Sequence, residues 1–322
     1  MSSVAVHAVP GGADGGPYGL AVTEDGAVWC TLVHGGAVVR FAAGAAGATG
    51  RAAGAADDGA AAGDGFTRIE LGSGARPSQV AAAGEDSVWV TDTDGGRLVL
   101  VGPAGELRSV AVPTAGAQPF GVVSLHDGTA WFTEMANDSL GRIDILGGVA
   151  EFAAGTSGGL VSMLAASGDS LWFTAHEANA VGYVRGGDAA PVLHTLPTPE
   201  AGPVGIAVGD DGAAWFCEIL AGAIGRIDRA GRITEYPLPA SGSKPHAIVA
   251  DPLGSDGVFG AGCWFTLWGA NQLGHVALDG SFSFVDLASS GHDEPHGLAV
   301  AADGAVWVAM ESGALLEVRP AR

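Results

Sequence analysis

Four residues in the last quarter of the chain have the types and spacing of a reactive centre: His246, Glu294, His296 and Glu311. Two carboxylates with no cysteine beside them favour a hard divalent ion such as Mg²⁺, which takes one or two protein carboxylates and keeps several waters. A histidine at the edge of such an ion, with an ordinary pKa of roughly 6.5, can act as base or acid near neutral pH. The set suits proton abstraction next to a carbonyl, or activation of water. Residue chemistry alone leaves elimination and hydrolysis both open. Taken singly, each residue reads more simply as a hydrogen-bonded strand-start histidine or a solvated carboxylate. Their coincidence at one place in a repeated frame carries the functional reading.

The elements that must position them come from an internal repeat. Seven of the eight tryptophans, Trp29, Trp89, Trp131, Trp172, Trp215, Trp264 and Trp307, recur in one context. The unit is about 42 residues, the period of a four-stranded propeller blade. The fullest copy, GPVGIAVGDDGAAWFCEILAGAIGRIDRAGRITEYPLP from Gly202 to Pro239, divides into four short strands. VGIAV is strand one, Asp211-Gly212 a two-residue hairpin turn, AAWFCEI strand two, AIGRID strand three and RITEYPL strand four. One such sheet cannot bury its own faces, so the blades must stack around an axis with tryptophans between them. The last repeat stops at ALLEVRPAR and lacks a fourth strand, whereas VAVHAVP precedes the first repeat. The fold expected is therefore all-β: a seven-bladed β-propeller in one domain, residues 1–322, closed by an N-terminal strand completing blade seven. Closure removes an exposed strand edge. Two insertions lengthen the repeat: an Ala/Gly-rich stretch at 42–65 in blade one and about 251–262 in blade six. Both are expected as mobile ornaments on the face away from the starts of strand one.

Equivalent positions in seven blades form rings. The residue eleven before each strand-two tryptophan, eighteen before in blade six, reads Tyr18, Ser78, Phe120, Val161, Val204, His246 and His296. Blades six, seven, one and two thus give a polar arc at the channel, and blades three to five an apolar one, a mouth suited to a bulky apolar ligand with one reactive polar locus. Two residues earlier, blade seven alone carries a carboxylate, Glu294, which strand alternation points the same way as His296. A two-residue turn at Asp303-Gly304 sets His296 opposite Glu311.

Composition removes other function classes. A formal net charge of −21 excludes nucleic acid and anionic membranes as partners, since both need Lys/Arg clusters. Three cysteines, Cys30, Cys217 and Cys263, without Cys-x-x-Cys spacing read as buried thiols in a reducing compartment. The start lacks a basic segment followed by an apolar stretch, and no run reaches membrane-spanning length. A cytoplasmic monomer is the expectation.

The phrases GPYG at 16–19, KPHAI at 244–248, EPHG at 294–297 and AMES at 309–312, with repeated WFTE and IGRI, resemble the streptogramin B lyase family, virginiamycin B lyase and its relatives. The resemblance covers the chain outside the two insertions. It implies a Mg²⁺-dependent enzyme that linearises cyclic depsipeptide antibiotics. Elimination across the threonine at the ring-closing ester leaves an unsaturated side chain and a free carboxylate, and confers resistance. By the matching motifs, Glu294 and Glu311 would bind Mg²⁺, His296 would accept the proton, His246 would contact the small cyclic peptide substrate, and Tyr18 would line the same pocket. The chain departs from the family at Leu267 and His275, where relatives commonly have Glu and Arg, and at GLVSM opening blade four. Leu267 and Val161 are expected near the channel, where they would alter substrate preference. The competing readings are a metal-dependent lactone or ester hydrolase and a non-catalytic binding propeller.

Overall fold

The blades are held apart, and held together, by what stands between them. In the computed structural model, which describes residues 2–42, 65–185, 190–252 and 261–321, seven four-stranded antiparallel sheets form the propeller. Ser3–Ala8 pairs antiparallel with Ala314–Arg319, so the N-terminal strand completes blade seven as the sequence predicts. The insertions leave the sheets where expected, after Phe41 in blade one and after Asp251 in blade six. Their interiors, and with them the expectation of mobility, lie outside the described residues.

Each strand-two tryptophan crosses to the next blade: Trp29 packs with Val80 and Val88 of blade two, and Trp307 with Leu20 and Val28 of blade one. Burying one indole contributes roughly 4–6 kcal/mol before conformational entropy is counted. The arginine of the IGRI phrase lies over the indole and pairs with the hairpin aspartate; Arg226 sits 5.5 Å from the Trp215 ring and 2.6 Å from Asp211. His275 does the same work in blade six, 4.6 Å from the Trp264 ring and 3.3 Å from Asp251. The glycine of that phrase makes room for the strand-two phenylalanine, because a Cβ on Gly141 would meet the Phe132 ring at 2.0 Å. Where strand two has a smaller residue, as at Cys30, its partner is Val39. Volume is thus conserved across the pair.

The threonine of the WFTE phrase is an inter-blade clasp. Its hydroxyl donates to the carbonyl of the channel residue in the next blade: Thr31 to Ser78 (3.0 Å), Thr91 to Phe120 (2.6 Å), Thr174 to Val204 (2.8 Å) and Thr266 to His296 (2.8 Å). Thr133 clasps Ser162 in this way, which corrects the expected ring: the channel residue of blade four is Ser162, not Val161. The cause is the hairpin. Blade four turns through two residues between Ser167 and Ser170, whereas the other described hairpins turn through three, as Ala301 to Ala305 does. Val161 is fully buried and pairs with Ala175, the place held by Pro295 in blade seven.

Strands pass so closely at the clasp that a side chain on the next residue is excluded in some blades. A Cβ on Gly297 would lie 2.3 Å from the Tyr18 carbonyl oxygen. Gly297→Ala is expected to lower stability by about 1–3 kcal/mol through strain between blades seven and one, read as a reduced denaturant midpoint.

The last position of strand two buries carboxyls in blades three and five. Glu134 and Glu218 have no exposed surface, and both Glu218 oxygens lack a hydrogen-bond partner among the described residues. Burial pushes Glu218 up to about 8, with the Glu235 carboxylate adding to the shift, and burial pushes Glu134 up to about 7. Leu267 occupies this place in blade six and is fully buried in the core between blades five and six. Its departure from Glu therefore removes a buried carboxyl and leaves the channel wall unchanged, contrary to the expectation. Because the folded pKa of Glu218 is raised, the folded state binds the extra proton and stability falls as pH rises from about 4.5 to about 8. Glu218→Gln is expected to melt like the parent at pH 5 and to be more stable at pH 8.5, by an amount on the order of 1–3 kcal/mol. Equal melting at pH 8.5 would contradict the buried neutral carboxyl.

Candidate active site

Strand one of each blade is entered through one slot and then bulged. The slot residue is left-handed in six blades: Gly16, Gln118, Leu160, Gly202, Lys244 and Glu294 have φ between 50° and 64°. Glycine suits that conformation, so Glu294 and Lys244 there carry a cost of about 1 kcal/mol or more. Directly after the first pair, every blade shifts register, and in blade seven the shift falls between Pro295 and Leu298. His296 is therefore a bulge residue, a position that re-aims a side chain.

This differs from the expected register. Glu294, not His296, lies across from Glu311, whose N–H donates to the Glu294 carbonyl at 3.0 Å. Glu294 precedes the strand and is exposed, while His296 is buried. The side chains nonetheless meet: His296 Nε2 contacts Glu311 Oε2 directly. Around the His296 imidazole stand Tyr18, with ring centroids 4.7 Å apart, His246 at 4.8 Å and Trp268 at 6.0 Å. Tyr18 Oη lies 3.4 Å from His246 Nε2. Tyr18, His246, His296 and Glu311 are thus brought together, with Glu294 joined to Glu311 through the backbone.

Burial sets the charge states. Burial lowers His246 to about 3, with His296 adding to the effect, so it is a neutral imidazole at any physiological pH. His296 is also lowered by burial, against the opposing pull of Glu311. Burial first, then the Glu311 charge, raises Tyr18 to about 12 and keeps its hydroxyl protonated. A neutral imidazole against a carboxylate, as His296 is, is a competent base, and Tyr18 is a hydrogen-bond donor.

Two cavities meet at Tyr18 and Phe120. One of about 310 Å³ fills the channel and is lined mainly by apolar residues, Phe120, Met135, Leu160, Met163 and Val204 among them, with His246 on one wall. The other, about 210 Å³, opens at the mouth between Glu311, His34, Arg76, Asp94 and Gln118. Ser78 belongs to the mouth cavity, where it bonds Thr93 at 2.6 Å. The polar-to-apolar division of the ring is present, with Ser162 added to the wall in place of Val161.

Glu294 and Glu311 are oxygen donors of the kind a hard cation takes. Among the described residues no group of three or more His, Cys, Asp or Glu side chains is gathered for a metal. Two carboxylates at facing strand ends beside solvent are what a largely hydrated magnesium ion takes.

His34 was not anticipated. Its Nε2 lies 3.0 Å from Glu311 Oε1, across the junction of blades one and seven. The signal was one ring further on, where His34, Asp94, Ala136, Glu177, Leu220, Gly269 and Ser312 occupy equivalent turns. The arc next to blade seven carries the imidazole. Among the described residues no helix is long and apolar enough to cross a membrane.

Known proteins resemble this chain in sequence and in fold. The model of the virginiamycin B lyase family matches residues 3–318. A virginiamycin B lyase of Nocardia farcinica is 38% identical over 249 residues, 75% of this chain and 77% of that protein. The crystal structure of virginiamycin B lyase from Staphylococcus aureus superposes with a TM-score of 0.85 at 28% identity, covering 100% of both chains. A catalytically inactive histidine-to-alanine variant of that lyase, crystallised with quinupristin, gives 0.84 at 28% identity over the whole of both chains.

Proposed function

The chain belongs to the virginiamycin B lyase family, and from that premise we propose that it is a carbon–oxygen lyase that linearises type B streptogramins by elimination at the ring-closing ester. The observation that carries the reading is the family match across residues 3–318. The pairing of a buried neutral histidine with a carboxylate beside a ligand-sized channel supports it.

His296 is the base. Its Nε2 lies against Glu311 Oε2, and neither ring nitrogen has a further hydrogen-bond partner among the described residues. The neutral imidazole takes the α-proton of the esterified threonine. The released electron pair becomes the Cα–Cβ double bond, the Cβ–O bond breaks, and its electrons leave on the carboxylate oxygen. Glu311 orients the imidazole and stabilises the imidazolium that forms, as a carboxylate does beside any catalytic histidine. The imidazolium then returns its proton to solvent, so no water is added. His246 and Tyr18 present a neutral ring nitrogen and a hydroxyl to the substrate backbone, while the apolar wall from Phe120 to Val204 takes its hydrophobic side chains.

Glu294 and Glu311 would hold Mg²⁺. Bound there, the ion would polarise the substrate carbonyl and acidify the α-proton. The test is chromatographic. Purified protein with Mg²⁺ should consume virginiamycin B and leave simple lactones untouched; consumption of lactones with the antibiotic intact would favour a hydrolase.

A further inference from the structure

His34 lies outside the motifs that carry the family resemblance, yet it grips the carboxylate that grips the base. We infer that His34 is a positioning residue: it fixes Glu311 from blade one, so that Glu311 holds His296 in one orientation. The inference rests on the reading of His296 as the base.

The contact is built rather than incidental. The His34 N–H donates to the Gly15 carbonyl at 2.8 Å, which pins the backbone that carries the ring. The ring occupies space left by glycine, since a Cβ on Gly16 would stand 2.6 Å from His34 Cδ2. In blade seven the same slot holds Glu294. Each Glu311 oxygen therefore has its own imidazole, Oε1 from His34 and Oε2 from His296, and the carboxylate plane is fixed from two adjacent blades. His34 must donate through Nε2–H, because an ionised carboxylate only accepts.

Its value to folding is small. The side chains of His34 and Glu311 are 55% and 25% exposed, and pairs this accessible contribute little to stability. Its value to chemistry is larger, because outer partners that orient a reacting group typically matter by about 10–100-fold. Held only by His296, the Glu311 carboxylate could rotate away and release the imidazole.

The test compares the wild type with His34→Ala and His34→Gln, since glutamine restores an N–H donor. His34→Ala is expected to lower kcat about tenfold with KM within about twofold, to melt like the wild type, and to be largely rescued in His34→Gln. In metal-free, substrate-free protein, the ¹⁵N imidazole signals of His296 should shift or broaden in His34→Ala and return in His34→Gln. Unchanged kcat, an effect confined to KM, or unmoved His296 signals would overturn the inference. The spectroscopic arm needs neither substrate nor metal. A wild type inactive towards streptogramins would sink the functional reading, while the His296 signals would still decide whether His34 positions Glu311.

Discussion

His296→Ala is expected to reduce streptogramin turnover by about 10²–10⁴-fold, the usual contribution of a positioned general base, with the propeller intact. The backbone there is held independently of the imidazole. Thr266 clasps the His296 carbonyl, Gly297 packs on Tyr18 of the next blade, and the strand continues into the buried Leu298. Removing the ring costs its contacts with Tyr18 and Trp268, neither of which belongs to the buried clusters between blades. A kcat measurement by chromatography, paired with a melting curve, separates the two effects. Retention of full activity would remove His296 as the base.

Glu311→Gln should be nearly as damaging, and in a different way from Glu294→Gln. Glu311 serves two imidazoles with two oxygens. Glutamine has one oxygen and an NH₂ that cannot accept, so one histidine loses its partner. It also loses a charge from the proposed metal site. A fall in kcat of about 10–100-fold is expected, not restored by added Mg²⁺. Glu294 is exposed, and its tie to Glu311 is through its backbone carbonyl. Its replacement by Gln should mainly shift the Mg²⁺ requirement upward, with kcat recovered at high Mg²⁺. A Mg²⁺ titration of each variant reads the difference. Identical titration curves for both variants and the wild type would remove the two carboxylates from metal binding.

The propeller was legible in the sequence because tryptophan, glycine and hairpin turns repeat, and repetition reports one local solution used seven times. Ring closure followed from the unpaired terminal segments. The polar arc was legible because Tyr18, His246 and His296 break the habit of their ring. What the sequence hid is where the count of residues fails to give geometry. A hairpin closing through three residues instead of two, and a bulge after Pro295, each move the pairing by one place. The contact between His296 and Glu311 survives because the bulge turns His296 towards a side chain that backbone pairing alone would set beside it. In blade four the shorter hairpin exchanges Val161 for Ser162 at the channel. His34 escaped notice because its partner lies 277 residues away across the closure of the ring, a proximity that reading within a blade does not reveal.

The central claim is elimination without water at a streptogramin ester, and the mass of the product tests it most directly. Virginiamycin B incubated with the protein and Mg²⁺ in ¹⁸O-labelled water should give a linear product of unchanged mass, carrying no label and fragmenting as an unsaturated side chain with a free carboxylate. A product heavier by one labelled water would mean hydrolysis and would contradict the account.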